Sequence, residues 1–225
     1  MRIRCCTIIL ITENEATQHM NIGNPRIYLA SQSPRRRELL KQIGVHFDPL
    51  LLRNDPRREV MVDETPLPDE EPVAYVQRVC EAKARAGWEA LLLRKLRAYP
   101  VLAADTTVTL NGKIIGKPEN NEHACAILQE LSGSRHQVLT AVAVAFEERL
   151  EMRLSTTTIT FAELNEARIR RYLLTGEAHD KAGAYGIQGH AGAFVKHIDG
   201  SYTGVMGLPL CETVELLQSF GIPTL

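Results

Sequence analysis

The chain has 225 residues, 44% of them apolar and 24% charged, which suffices for one domain with a sizeable core. Its 26 lysines and arginines against 27 aspartates and glutamates leave no basic excess to coat a nucleic acid, so any anion site must be local. Five scattered cysteines without a CxxC pair argue against a disulfide framework or a zinc site, and no apolar stretch is long enough to span a bilayer.

Residues 1–25 read as a poorly ordered N-terminal extension, and 26–225 as the folded domain. Met1-Arg2-Ile3-Arg4 followed by Cys5 to Ile11 is faintly like a secretory signal. The apolar run is short, however, and ends at Thr12-Glu13-Asn14-Glu15 without a small-residue cleavage site. The expected location is cytoplasmic, with no membrane and no nucleic-acid partner.

Ile27-Tyr28-Leu29-Ala30 reads as a buried strand leading into the polar turn Ser31-Gln32-Ser33. Ser33 is placed to cap a helix with its hydroxyl, Pro34 suits the first helical position, and Leu39, Leu40 and Ile43 give that helix one apolar face. Arg35, Arg36 and Arg37 then crowd a helix N-terminus, where unpaired N–H groups and the dipole already favour an anion and where cations weaken the helix. Such a turn calls for a strongly anionic ligand such as phosphate; the plainer reading is a solvated basic turn.

Gly44 ends this helix, and Val45 to Leu52 reads as a second strand. Arg53 to Glu71 is a long loop, rich in proline and charge, that contains Asp63-Glu64. A helix follows from about Pro72 to Ala98, bent or interrupted at Gly87, with Lys83 one turn beyond the stripe Val76, Val79, Cys80. Val101 to Ala104 enters a buried strand with Asp105-Thr106-Thr107 at its end, and Asn111-Gly112 signals a type I′ hairpin returning through Lys117. Asn120 or Asn121 caps a helix to Leu131; residues 136–147 and 151–161 form a β-hairpin; a helix covers Asn165 to Leu174. Four glycines between 183 and 192 suit close backbone approach to a ligand. Ala193 to Ile198 reads as a strand, Gly200 to Gly207 as a loop and Pro209 to Phe220 as the last helix. The fold class expected is α/β, a mixed twisted sheet with flanking helices and two lobes around a central cleft.

Asp105, at the expected strand end, suits a general base or metal ligand; a turn-capping aspartate is the alternative. Lys117 and Lys83 from separate segments would suit a triphosphate, although either alone reads as a surface lysine. Asp63-Glu64 and Glu38 are candidate ligands for Mg²⁺, which takes one or two carboxylates plus substrate oxygens. Gln188 can both donate to and accept from a nucleobase edge. There is no GxxxxGK[ST] loop, no GxGxxG after a strand and no GxSxG elbow.

Together these segments resemble the Maf family of nucleoside triphosphate pyrophosphatases. The matching stretches, in family order, are Leu29 to Arg36, Ala104-Asp105-Thr106, Gly116-Lys117-Pro118, Leu131-Ser132-Gly133, Thr140-Ala141-Val142, Asp180 to Gly189 and Gly207-Leu208-Pro209. The resemblance implies cleavage between the α and β phosphates, a divalent cation (Mg²⁺ or Mn²⁺) and an inosine-triphosphatase-like fold. It implies Asp105 as proton acceptor; Ser33, Arg35, Arg36, Lys83 and Lys117 on the substrate's phosphate side, with Ser31 also binding substrate; and Glu64 as an acid near the metal. Arg35, Thr106 and Gln188, with the whole Asp180–Gly189 stretch, resemble the branch acting on dTTP and UTP. Ala178 departs from the family, which often carries proline there. A 7-methyl-GTP pyrophosphatase and a nucleotide-binding regulator of cell division are the competing readings, and a homodimer is an open oligomeric state.

Overall fold

The computed structural model describes residues 26–52 and 62–225, so the expected extension 1–25 and much of the 53–71 loop lie outside the described residues. A seven-stranded mixed sheet forms the centre, in the order β2 (His46–Pro49), β1 (Arg26–Leu29), β3 (Val101–Leu110), β5 (Arg135–Phe146), β6 (Arg149–Phe161) and β7 (Val195–Asp199), with β4 (Lys113–Ile115) added beside β3. Its first part is parallel. Strand β1 (Arg26–Leu29) is followed by helix α1 (Pro34–Gln42), which returns the chain to β2 (His46–Pro49). Helix α2 (Pro72–Leu93) then precedes β3 (Val101–Leu110), on the other side of β1.

The rest of the sheet is antiparallel. Asn111 and Gly112, both with positive φ (52° and 81°), turn β3 into β4 (Lys113–Ile115) as the hairpin signal requires. Helix α3 (Asn121–Leu131) is capped by the Asn120 side chain, which accepts from the His123 N–H. Strands β5 (Arg135–Phe146) and β6 (Arg149–Phe161) then make the long hairpin. After α4 (Glu166–Leu173), the glycine-rich segment and β7 (Val195–Asp199), helices α5 (Tyr202–Met206) and α6 (Leu210–Ser219) complete the fold.

The pleat separates two cores. Val101, Ala103, Leu139 and Ala141 face α2 and pack with Val76, Cys80 and Ala84. Leu102, Ala104, Val108 and Val142 face the opposite side and pack with Leu39, Leu40, Leu128 and Leu217. Helices thus flank both faces, as expected for the mixed α/β class.

Four expectations change. Asp105 lies in the middle of β3, opposite Ala141 of β5, because the β-branched run Thr106-Thr107-Val108-Thr109 continues the ladder past it. Helix α2 runs unbroken through Gly87. A Cβ at Gly87 would stand 2.7 Å from Val101 Cγ1 and 3.1 Å from the Ala30 methyl, so this glycine serves close helix–sheet contact. Ser33 holds the N-cap position of α1 with Pro34 next, but its hydroxyl makes no capping bond. Residues 202–206 are helical, with Ser201 as N-cap accepting from the Gly204 N–H at 3.0 Å.

On the α3 side, His136 is 1% exposed, with its ring edge-on to Phe161 and Tyr185 and its Nε2 2.8 Å from the Tyr185 hydroxyl. Burial lowers its pKa from 6.5 to about 4. As pH falls below 6.5 the unfolded chain takes up this proton while the folded chain resists, so stability is lost through that window. Between pH 7 and pH 4 the wild type should lose about 2–3 kcal/mol more unfolding free energy than His136→Gln, as measured by urea titration; equal losses contradict a neutral buried imidazole. Gly87→Val should lower stability by about 1–3 kcal/mol through overpacking, and an unchanged urea midpoint would show that α2 is not wedged there.

Candidate active site

One edge of β3 is only partly covered. Strand β1 pairs with it at Val101 and Leu102, and β4 pairs with it from Val108 to Leu110. Among the described residues no strand pairs with that edge from Ala103 to Thr107, although β5 covers the opposite edge throughout. Asp105 and Thr106 lie in this open stretch, their side chains on opposite faces of the sheet.

On the α2 face, Lys83 donates to Asp105 Oδ1 at 2.7 Å. The same ammonium is 2.9 Å from Glu64 Oε1. The Lys83 and Asp105 side chains are 16% and 10% exposed, so this pair is shielded from screening, whereas Glu64 is half exposed. No described group donates to Asp105 Oδ2. The loop carrying Glu64 is tied to α2 by two residues that sequence reasoning missed. Arg78 pairs with Glu70 at 2.6 Å and donates to the Thr65 carbonyl at 3.0 Å, while the Tyr75 hydroxyl donates to the Glu64 carbonyl at 2.9 Å. Their only signal is helical spacing, at positions 75 and 78 on the turns before Lys83. The Arg78 hydrogen bonds hold the Glu70 carboxyl down at about 2. Asp63 turns back to accept from the Thr65 N–H at 2.8 Å, so of the Asp63-Glu64 pair only Glu64 reaches the site. Burial, then the Asp105 charge, pushes the Cys80 thiol up to about 12, which leaves it without nucleophilic character.

On the opposite face, the half-buried Arg36 guanidinium binds only neutral oxygens. Nε donates to the Gly207 carbonyl at 2.7 Å, Nη1 to Ser31 Oγ at 3.2 Å and Nη2 to Thr106 Oγ1 at 3.1 Å. Desolvation lowers its pKa from the ordinary arginine value against the pull of Asp105, yet an arginine stays charged. Ser31 Oγ also accepts from the Ser33 N–H at 3.2 Å, which fixes the turn ahead of α1. Arg37 folds back onto the Gln32 carbonyl at 2.8 Å and takes no part.

The glycine-rich segment approaches from the β4 side. The Gly183 N–H donates to the Gly116 carbonyl at 3.1 Å, tying the segment that bears Gln188 to the hairpin that bears Lys117. Gly183 has φ +72° and packs on Val108, so a side chain there would be both strained and obstructed. Arg35 reaches this segment, with Nη1 beside Gly186 and its charge helping to lower the Asp180 pKa against the effect of burial. Glu177 closes the segment by accepting from the His190 N–H at 3.0 Å and pairing with its Nδ1. Gln188 and Lys117 are exposed and make no hydrogen bond or ion pair with described residues. Glu38 lies apart, pairing at 3.1 Å with Lys41 on the exposed face of α1.

Two carboxylates, Asp105 and Glu64, therefore share one ammonium beside the open edge of β3, and a guanidinium with uncharged partners lies across the sheet from them. Among the described residues no group of three His, Cys, Asp or Glu side chains could hold a metal. The carboxylate pair fits a hard cation such as Mg²⁺ that takes its other ligands from substrate and water.

A family model for the Maf-like protein matches residues 26–220. The chain is 57% identical over 196 residues to a dTTP/UTP pyrophosphatase of Dechloromonas aromatica, a match covering 87% of this chain and 98% of that one. It is 55% identical to a Nitrosomonas europaea protein with the same name, covering 87% and 95% of the two chains, and 54% identical to one from Aromatoleum aromaticum, covering 88% and 97%. Among solved structures, the Staphylococcus aureus Ham1 protein aligns over 87% of this chain and 97% of that one at 16% identity, with a TM-score of 0.47. From Arg26 through Phe220, almost the whole folded region, this chain belongs to the Maf family.

Proposed function

We propose that this protein is a nucleoside triphosphate pyrophosphatase that hydrolyses dTTP and UTP to the monophosphate and pyrophosphate. The observation that carries the reading is the open stretch of β3, bordered by the Lys83-bound Asp105 on one face and by Arg36 on the other. Its substrate class is supported by relatives at 54–57% identity, which bear that name over nearly their full length.

Lys83 occupies Oδ1 of Asp105 and leaves Oδ2 to accept a proton from water. That water's oxygen forms the new bond to the α-phosphorus, and the bond from the α-phosphorus to the bridging oxygen breaks. Its electron pair leaves with pyrophosphate, and the water's proton passes to Asp105. Arg36, held by three neutral oxygens, keeps its full positive charge for the phosphates, and Lys83, Arg35 and Lys117 add to it. Ser31 and Ser33 line the same turn. Glu64, beside the Lys83–Asp105 pair, would hold a divalent cation, which when bound would supply charge neutralisation on the phosphate oxygens. Gln188, exposed in the glycine-rich segment, is the residue assigned to read the base. The scattered cysteines suit a cytoplasmic enzyme.

Pyrophosphate release measured across dTTP, UTP, CTP, GTP and 7-methyl-GTP with Mg²⁺ or Mn²⁺ tests the reading. Preference for dTTP and UTP is expected; preference for 7-methyl-GTP contradicts the substrate assignment. Asp105→Asn should lower kcat for UTP by about 10²–10⁴-fold, the usual contribution of a general base, and near-normal turnover by that variant removes Asp105 from the role.

A further inference from the structure

Residues 63–69 are all exposed, so no buried side chain anchors the stretch that presents Glu64. Polar bonds from α2 hold it instead. Arg78 Nη1 donates to the Asp63 carbonyl at 3.3 Å, and Nη2 donates to the Thr65 carbonyl at 3.0 Å. The Tyr75 hydroxyl donates to the Glu64 carbonyl between them at 2.9 Å. Three consecutive backbone acceptors are thus held from one helical turn, because positions 75 and 78 are neighbours on the helix surface.

The guanidinium is itself fixed by a carboxylate. Arg78 Nε and Nη2 donate to the two oxygens of Glu70 at 2.6 Å and 2.8 Å, a two-pronged pairing that sets the plane of the fork. The Glu70 side chain is only 8% exposed and also accepts from the Leu67 N–H at 2.9 Å, closing the turn that joins the loop to α2. With its backbone held on both sides, Glu64 places Oε1 2.9 Å from Lys83 Nζ, beside Asp105. On an unheld loop the same glutamate would spread over many positions, and ordering it would oppose any ligand that needs one of them.

We propose that Arg78 is a positioning residue for the divalent cation, acting through Glu64, with Tyr75 as the second point of attachment. The inference rests on the reading of Glu64 as a cation ligand given above. Groups that orient a ligand without touching the ion commonly carry about 10- to 100-fold of metal affinity. Among the described residues Arg78 makes no hydrogen bond to Lys83 or Asp105, so its effect falls on cation binding and not on the chemical step.

The test is Mn²⁺ binding to the nucleotide-free protein, read from the EPR signal of free Mn²⁺, for the wild type, Arg78→Lys, Tyr75→Phe and Glu64→Gln. Lysine keeps the charge but cannot span Glu70 and two carbonyls as a rigid fork. Arg78→Lys should raise the Mn²⁺ Kd by about 10-fold, the low end for an orienting partner. Tyr75→Phe, which removes one hydrogen bond, should raise it by about 2- to 5-fold. For both variants kcat with UTP at saturating Mn²⁺ should stay within about two-fold, the split expected when binding is weakened and chemistry is not. In a Glu64→Gln background, adding Arg78→Lys should change Kd by less than about two-fold, because the route through Glu64 is already cut. A general loosening of the protein would persist in that background. An unchanged Kd in Arg78→Lys overturns the inference, as does an undiminished effect of Arg78→Lys without the Glu64 carboxylate. If Arg78→Lys does not fold, Tyr75→Phe is read by the same cycle. A Glu64→Gln protein that binds Mn²⁺ as the wild type does overturns the reading of Glu64 and this inference together. A weakened Glu64→Gln beside an unaltered Arg78→Lys overturns this inference alone.

Discussion

The interrupted pairing along one edge of β3 is the constraint on which the site depends. Strand β5 holds β3 rigid along nine consecutive pairs, from Val101 to Thr109, so the strand does not bend to close the gap. On its other edge β1 stops at Leu102 and β4 begins at Val108, leaving the backbone between them without a ladder. Backbone groups in that position need water or a ligand. The strand's alternation then sends neighbouring side chains to opposite faces, Asp105 toward α2 and Thr106 toward α1 and α5. One short stretch of backbone thus brings together two chemically different environments.

Those environments have opposite charge preferences. Beside Asp105, one ammonium is shared between two carboxylates, so the group retains negative charge and favours a further cation. Beside Thr106, Arg36 has only carbonyl and hydroxyl oxygens as partners, and the Arg35 guanidinium reaches from α1 toward the adjoining glycine-rich segment. A partly desolvated guanidinium without a carboxylate partner favours an anion. A metal-bound polyphosphate offers both signs of charge within a few ångströms, which is the complement of this arrangement.

Local signals made much of this legible. Asn111-Gly112 dictates its hairpin by its own backbone, and Asn120 caps α3 through its own side chain. The features that sequence misread are those set by distant partners. Gly87 reads as a helix breaker until Val101 and Ala30 are seen against it. Asp105 reads as a strand end until β5 carries the ladder through the threonines. Gly200 to Gly207 reads as a loop because its glycines hide a short helix capped by Ser201. Within the site, Glu64 and Glu38 carry equal weight as carboxylates in the sequence. Only the fold shows that Glu64 meets Lys83 while Glu38 pairs with Lys41 on an exposed face. The roles of Arg78 and Tyr75, which hold the Glu64 loop, had no signal beyond helical spacing.

Amide hydrogen exchange with a non-hydrolysable UTP analogue tests most directly whether the open stretch of β3 is where nucleotide binds. With the analogue and Mg²⁺ present, protection should rise in Ala103 to Thr107 and in the Ser31 to Arg36 turn, while the paired β5–β6 hairpin changes little. Protection confined to other segments, with Ala103 to Thr107 exchanging as in the free protein, would contradict the account.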